Sequence, residues 1–346
     1  MKVDYIIVGC GLAGISFAEK LKSNNKSFVV FDDNSQQSSI VAGGLYNPVT
    51  LKRFTPVWKS EKQLDLALPV YQKLEKDLKI QLDYKIAVKR RFASIEEQND
   101  WFSRSDRPGL KPFLNTTLSE NNNPKIKAEF KLGEVLQTGR IDTKLLIKKY
   151  RQALSKNELF ITNRFDYDKL IMDDNGIQYK NIRAKHIIFA EGFGVKRNPF
   201  FNQLPLQGSK GQLLTIHAPD LNLDYVLKSS VFIIPLGDNM YRIGATYEQN
   251  DKTNKTTQEA KELLLNRLKT FTDFDFEVVN HVAGVRPTVK DRKPLVGRHQ
   301  THNNVYVLNG MGSRGVMIAP YIANQLYNCI ENNTPLDSEI DCSRFN

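Results

Sequence analysis

The stretch from Tyr5 to Asp32 limits what this chain can fold into more than any other. An all-apolar run, Tyr5-Ile6-Ile7-Val8, meets a G-x-G-x-x-G turn, Gly9-Cys10-Gly11-Leu12-Ala13-Gly14, and a second apolar run, Phe28-Val29-Val30-Phe31, ends in Asp32. A run that is apolar at every position suits a strand buried on both faces, as in a parallel sheet. The glycines have separate duties: Gly9 permits a tight turn, Gly11 lets backbone approach a pyrophosphate, and Gly14 lets the following helix, Leu12 to about Ser23, pack closely on the strand. That helix offers unpaired N–H groups and the positive end of its dipole to phosphates. Asp32 stands eighteen positions past Gly14, near the roughly twenty at which an acid reaches ribose hydroxyls, and it would repel a 2′-phosphate. The pattern predicts a dinucleotide site suited to FAD or NAD rather than NADP.

At 346 residues the chain is long for one core, so two packed domains are expected. Hydrophobic residues at 40% and charged residues at 25%, with no internal repeat or low-complexity tract, exclude the disordered and solenoid classes. The first apolar run is broken by Asp4 and the glycines and lacks a signal-peptide cleavage site, and nothing approaches about eighteen uninterrupted apolar residues, so no membrane span is expected. The three cysteines, Cys10, Cys329 and Cys342, have no C-x-x-C spacing and read as free thiols of a cytoplasmic protein. A formal charge of +11 raises an acidic partner such as nucleic acid. The basic clusters, Lys89-Arg90-Arg91 and Lys148-Lys149 with Arg151, are not interleaved with aromatics as a base-stacking platform would be, and solvated surface is the simpler reading. The five histidines show no metal-ligand spacing, so no metal is expected.

Further along, Ala42-Gly43-Gly44 would let a loop lie close to a flat ligand. Leu64, Leu68, Tyr71, Leu74 and Leu78 predict a core-facing helix from Ser60 to Leu78. Tyr84, Ile86, Val88 and Phe92 predict one half-buried strand. Ser94 with Glu97, Asp142, and Thr256 with Glu259 predict caps for helices through Trp101, over Thr143 to Leu154, and running to about Phe271. Strands over Leu159 to Ile161 and Lys169 to Met172, a turn at 173–176, and a strand over Ile187 to Ala190 before Glu191-Gly192 bring the chain back to the nucleotide-binding sheet. Gln212 to Ile216, Val231 to Pro235, Tyr241 to Ala245 and a run from Phe276 to Arg286 predict a second strand-rich region. Val305 to Leu308, then Asn309-Gly310-Met311-Gly312-Ser313-Arg314-Gly315 and a helix to about Glu331, form a second strand-to-helix junction where negative charge can settle.

Gly9 to Gly14, Asp32, Gly284-Val285-Arg286-Pro287 with Asp291 to Gly297, and Gly310 to Gly315 together resemble the D-amino-acid oxidase superfamily of FAD enzymes, which includes glycine and sarcosine oxidases. Ile234-Pro235 to Gly244-Ala245-Thr246 looks like a hairpin of that family, and the likeness covers nearly the whole chain. Gly208-Ser209-Lys210-Gly211-Gln212, Gly312 to Gly315 with Ala319-Pro320, Pro335-Leu336-Asp337 and Arg344-Phe345 are similar, within the superfamily, to the FAD oxidase domain of bifunctional enzymes that modify the wobble uridine of tRNA. The resemblance implies an α/β fold: a Rossmann-like FAD-binding domain of discontinuous segments, 1–44, 135–205 and 285–346, plus an α+β, sheet-based substrate-binding domain, 45–134 and 206–284. It also implies non-covalent FAD. Gly9, Gly11, Leu12, Ala13 and Gly14 would serve the pyrophosphate, Asp32 and Asp33 the ribose, and Phe165, Ala190 and Gly192 the nucleotide portion. Ala42, Gly43 and Gly44 would approach the flavin, and Gly310, Gly312, Ser313, Arg314, Gly315 and Val316 would line its far edge.

Flavin oxidation of an amine needs substrate C–H held against flavin N5, an unprotonated amine, and a sink for negative charge at the N1 end; no His or Glu base is obligatory. Arg286 matches the family's carboxylate-binding arginine, since a guanidinium grips a carboxylate bidentately and stays charged. Lys210 and Arg314 are candidates for positive charge near the flavin. Tyr241 and Tyr247 are candidates for the substrate pocket, and His281 reads as a strand histidine without catalytic duty. The expected activity is FAD-dependent oxidation of a C–N bond in a glycine-like or N-substituted amino acid. The alternatives are oxidation of a carboxymethylaminomethyl wobble uridine in tRNA and a non-catalytic flavin-binding protein.

Overall fold

The computed structural model describes residues 1–173 and 176–345. The strand Lys2–Val8 lies inside an eight-stranded sheet, parallel to Phe28–Phe31 on one side and Ile182–Phe189 on the other, with Ile7 opposite Val30 and Ile188. Phe160–Ile161 extends the sheet beyond Phe28–Phe31. Val305–Asn309 runs parallel to the end of Ile182–Phe189, and Leu295–Arg298 pairs antiparallel with it. A hairpin, Leu170–Asp173 with Gly176–Tyr179, joins the start of Ile182–Phe189; residues 174–175 of the predicted turn lie outside the described residues. The beginning, middle and end of the chain therefore share one sheet.

Both faces of the middle of this sheet are covered, which is why residues 5–8, 28–31 and 305–308 are apolar throughout. On one face Phe17, Leu146 and Ile322 belong to the helices Leu12–Lys22, Thr143–Lys156 and Gly315–Asn332, and they share a core with Leu64, Tyr71 and Leu74 of the helix Ser60–Leu78. Pro320 has no N–H for the carbonyl of Val316, and the hydroxyl of buried Tyr71 donates to that carbonyl at 2.8 Å, locking two helices together. The other face is aromatic, with Phe165 stacked on Tyr179 at 4.1 Å and both edge-on to Phe31. No helix of the described residues is long and apolar enough to cross a membrane.

A second, seven-stranded sheet has the order Glu277–Arg286, Ser209–His217, Met240–Gly244, Phe232–Gly237, Val226–Lys228, Val88–Arg91, Leu132–Val135. One face buries Leu214, Ile216 and Ile243 against Leu264 and Leu268 of the helix Gln258–Lys269. The opposite face meets the segment that follows Asp32: a Cβ on Gly43 would stand 2.9 Å from Ile234 Cδ1, and one on Gly284 would stand 2.7 Å from Val41 Cγ2.

Two local expectations are corrected. The single strand over 84–92 is two: Asp83–Tyr84 pairs with Gly139–Ile141, and Val88–Arg91 joins the large sheet. Alternation continues through the crossover, so periodicity does not mark it. The cap of the helix Gln258–Lys269 is Thr257, not Thr256. The Gln212 side chain accepts from Thr257 N at 2.9 Å and donates to Thr257 Oγ1 at 3.3 Å, a tertiary contact that sets the start one residue later. Ser94 and Asp142 cap where expected, accepting from Glu97 N at 3.3 Å and Leu145 N at 3.0 Å.

Candidate functional site

A cleft opens at the C-terminal ends of Lys2–Val8 and Phe28–Phe31, where open α/β sheets bind their ligands. Gly9, Gly11, Leu12 and Ala13 line it, with Asp32 and Asp33, Phe165, Ala190 and Gly192; Asn309 and Met311 bring in the far end of the chain. Gly9 has φ +106°, and a Cβ there would stand 2.3 Å from the carbonyl oxygen of Ala190. Gly14 does not line the cleft; a Cβ on it would fall 1.9 Å from the oxygen of Gly9, so its duty is close packing of helix on turn.

The acid at the strand end is held on every side. Asp32 Oδ2 accepts from Cys10 N, Oδ1 accepts from Asn34 N at 2.7 Å, and Arg151 Nη2 lies 3.1 Å from Oδ1. Ser39 Oγ accepts from Leu12 N at 3.3 Å, one of the N–H groups that a helix N-terminus leaves free. Glu191 stands in the cleft wall. Burial pushes its carboxyl up to about 7, while Asn198 Nδ2 at 2.7 Å and the Tyr167 hydroxyl donate to it. Sequence reading missed Ser39, Arg151 and Glu191. Arg151 belongs to a basic cluster read as surface, and only the approach of its helix to Asp32 shows otherwise.

Ala42, Gly43 and Gly44 run between the two sheets: Arg242 Nη1 donates to the carbonyl of Ala42 at 3.4 Å, and Gly44, with φ +75°, passes too close to Ile141 O for any side chain. On the same face of the large sheet Arg286 ends its strand, so close over Gly211 that a Cβ there would stand 2.0 Å from Arg286 Nη2. Arg286 Nη1 donates to Thr246 O at 3.2 Å, and the Tyr247 ring, 66% exposed, covers the guanidinium. Among the described residues no carboxylate pairs with Arg286 or with Arg314, the residue preceding the helix Gly315–Asn332, whose Nη2 donates to Thr50 Oγ1 at 2.8 Å. Burial lowers the pKa of both guanidinium groups. Gly310 and Gly312 shape the turn before that helix, Ser313 is exposed, Val316 is buried, and Gly315 lies against Leu12 of the first helix.

Lys210 does not reach this face. Its register partner is Val285, on the side opposite Arg286, and its fully buried ammonium is paired with Asp251 near Thr253. Alternation along a strand sends neighbours to opposite faces, and Lys210 and Gly211 are such neighbours. Tyr241 also faces away, its hydroxyl accepting from Leu223 N at 3.2 Å in the core behind the sheet. His281 stands half-buried on its strand.

The cleft fits a dinucleotide on its own terms. Its turn needs glycine at Gly9, where a side chain would collide with the Ala190 backbone, and its acid is pre-oriented by backbone N–H groups. A helix N-terminus opens onto it, and Arg242 and Arg286, without carboxylate partners among the described residues, stand along the adjoining sheet face.

Residues 4–328 match the family described as DAO, FAD dependent oxidoreductase. Glycine oxidase of Bacillus subtilis (strain 168) is 28% identical over 147 residues, 40% of this chain and 39% of that protein. The tRNA 5-methylaminomethyl-2-thiouridine biosynthesis bifunctional protein MnmC of Campylobacter jejuni subsp. jejuni serotype O:6 is 26% identical over 165 residues, 46% of this chain and 27% of that protein. The chain thus spans well under half the length of these relatives. Among solved structures, glycine oxidase from Geobacillus kaustophilus superimposes with TM-score 0.81 at 18% identity, covering 99% of this chain and 98% of that one. Iminodiacetate oxidase from Chelativorans sp. BNC1 superimposes with TM-score 0.82 at 16% identity, covering 97% and 98%. With its family match running over almost its entire length, and with a cleft built by both ends of the polypeptide, the chain belongs to the DAO family of FAD-dependent oxidoreductases.

Proposed function

We propose that this protein binds FAD non-covalently in the cleft and oxidises a C–N bond of a glycine-like or N-substituted amino acid. The observation that carries this reading is Arg286: a guanidinium held by Thr246 and Tyr247, without a carboxylate partner among the described residues, on the sheet face turned toward Val41 to Gly44. Bound FAD supplies a two-electron acceptor, the flavin. Arg286 grips the substrate carboxylate and aims the amine-bearing carbon into the space between sheet and cofactor. Arg314, bonded to Thr50, sets positive charge at the start of the last helix, where charge arriving on the cofactor is stabilised. Gly9, Gly11, Leu12 and Ala13 receive the pyrophosphate, Asp32 the ribose, and Phe165 the nucleotide portion. The FAD-binding region comprises 1–44, 135–205 and 285–346, and 45–134 with 206–284 builds the substrate region. The thiols of Cys10, Cys329 and Cys342, unpaired with one another, suit a reducing cytoplasm.

The likeness to MnmC and the charge of +11 support a second reading, in which the amine is carried on tRNA. Anaerobic mixing of the flavin-loaded protein with glycine, sarcosine and other N-substituted amino acids, and separately with hypomodified tRNA, distinguishes the two. Bleaching of the flavin by small amines supports the first reading. Bleaching by tRNA alone, with binding that weakens steeply with salt, establishes the second, and none at all defeats both.

A further inference from the structure

Arg314 is a partly buried cation with no acid to balance it. Among the described residues its guanidinium makes one hydrogen bond, Nη2 donating to Thr50 Oγ1 at 2.8 Å, and it has no carboxylate partner. The charged side chain that acts on it is a second cation, Arg292, from the turn closed by Arg292 N donating to Val289 O at 3.0 Å; the other titratable neighbour is the Tyr247 hydroxyl. A desolvated guanidinium beside a like charge gains by swinging toward water, so whatever holds it decides where its charge stands. The Thr50 hydroxyl pins it and brings no negative charge. A carboxylate in that place would pin the guanidinium and cancel its field.

The chain makes Thr50 a firm anchor. Val49–Thr50 pairs with Thr55–Pro56 as a small hairpin, Thr50 opposite Thr55, and Thr50 stands between buried Val49 and Leu51. The tip is held by Phe54, whose ring meets Trp101 edge-on at 5.3 Å. The base is held by Trp58, edge-on to Tyr321 at 5.6 Å with Nε1 donating to Glu339 Oε2 at 2.7 Å, and by Lys59, paired with Asp337. Tyr321 belongs to the helix Gly315–Asn332 that Arg314 precedes, so donor and acceptor ride on elements already packed together. A β-branched side chain is stiff at its first torsion, which fixes the hydroxyl further. We propose that Thr50 is the positioning residue for Arg314: its hydroxyl holds the guanidinium at the start of the last helix with its charge intact, and so raises the affinity of bound flavin for electrons. This rests on the reading of Arg314 as the cation that serves the cofactor.

The test is reductive titration of the flavin-loaded protein with dithionite and reference dyes, in the native chain and in Thr50→Val, which keeps the shape of the side chain and removes the hydroxyl. Thr50→Val lowers the equilibrium constant for two-electron reduction tenfold or more, a midpoint about 30 mV more negative, with flavin content unchanged. Thr50→Ala, which removes the hydroxyl in a smaller side chain, gives the same fall, and Thr50→Ser recovers most of it. In an Arg314→Met background Thr50→Val shifts nothing further, because the hydroxyl acts through the guanidinium. With a glycine-like amine, Thr50→Val lowers kcat and leaves KM nearly unchanged. A midpoint unmoved in both Thr50→Val and Thr50→Ala, or an equal fall with and without Arg314, overturns the proposal, as does a raised KM with an unmoved midpoint. If no amine reduces the flavin, the oxidase reading fails, and the dithionite titration still decides what Thr50 does.

Discussion

The guanidinium carbon of Arg286 lies 4.5 Å from the centre of the Tyr247 ring, and the carbonyl of Thr246, the residue before, accepts from Arg286 Nη1 at 3.2 Å. One edge of the arginine is thus fixed by backbone and its face by an aromatic ring, leaving donors for a planar anion. Arg286→Ala should lower kcat/KM for a carboxylate-bearing amine at least a hundredfold, about 2.7 kcal/mol at 1.36 kcal/mol per tenfold, with flavin content unchanged. Arg286→Lys should recover little, because an ammonium lacks the bidentate fork. Native turnover in Arg286→Ala would remove the arginine from this role.

Gly14 packs the first helix closely on the glycine turn. Since a Cβ there would stand 1.9 Å from the oxygen of Gly9, Gly14→Ala must push the first helix away from the turn. The expected result is a melting temperature lower by several degrees and loss of most bound flavin, read from the absorbance ratio at 450 and 280 nm. A variant as stable and as yellow as the native protein would show that the turn tolerates the displacement.

The carboxyl of Glu191 is raised by burial from 4.5 to about 7. A folded-state pKa above the unfolded value means that the native protein holds this proton more tightly, so its contribution is full below about 4.5 and is lost as pH rises through about 7. The native protein should lose melting temperature across that interval relative to Glu191→Gln, in which the amide does not titrate. Parallel pH profiles for the two would mean that Glu191 is ionised throughout.

Lys210 and Asp251 secure the loop that carries Thr246 and Tyr247. Hydrogen bonding to Lys210, above the other causes, depresses Asp251 to about 2, so its contribution is present above the usual 3.8 and fades as pH falls toward 2. Asp251→Asn leaves a fully buried ammonium without its counter-ion and should lower the melting temperature. Adding Lys210→Met should restore part of the loss. Strictly additive effects of the two substitutions would show that the pair is not coupled.

The sequence by itself determined the elements whose causes are local. The apolar run before Gly9, the glycine spacing, the caps at Ser94 and Asp142 and the stripe from Leu64 to Leu78 each state which backbone form or face is favoured, and the structure has those elements at those places. The family resemblance also placed both ends of the chain at one cofactor, and in the structure Asn309 and Met311, rather than the expected Gly310 and Gly312, line the cleft with Gly11.

Only the tertiary structure decided what each favoured face would meet. That Arg151 binds Asp32, that Lys210 turns away from the cleft while Arg286 turns toward it, that the run over 84–92 divides between two sheets, and that Arg314 is held by Thr50 all depend on residues distant in sequence. Periodicity records that a side chain is hidden, but burial and charge pairing are properties of two surfaces, and the second surface is supplied by the fold.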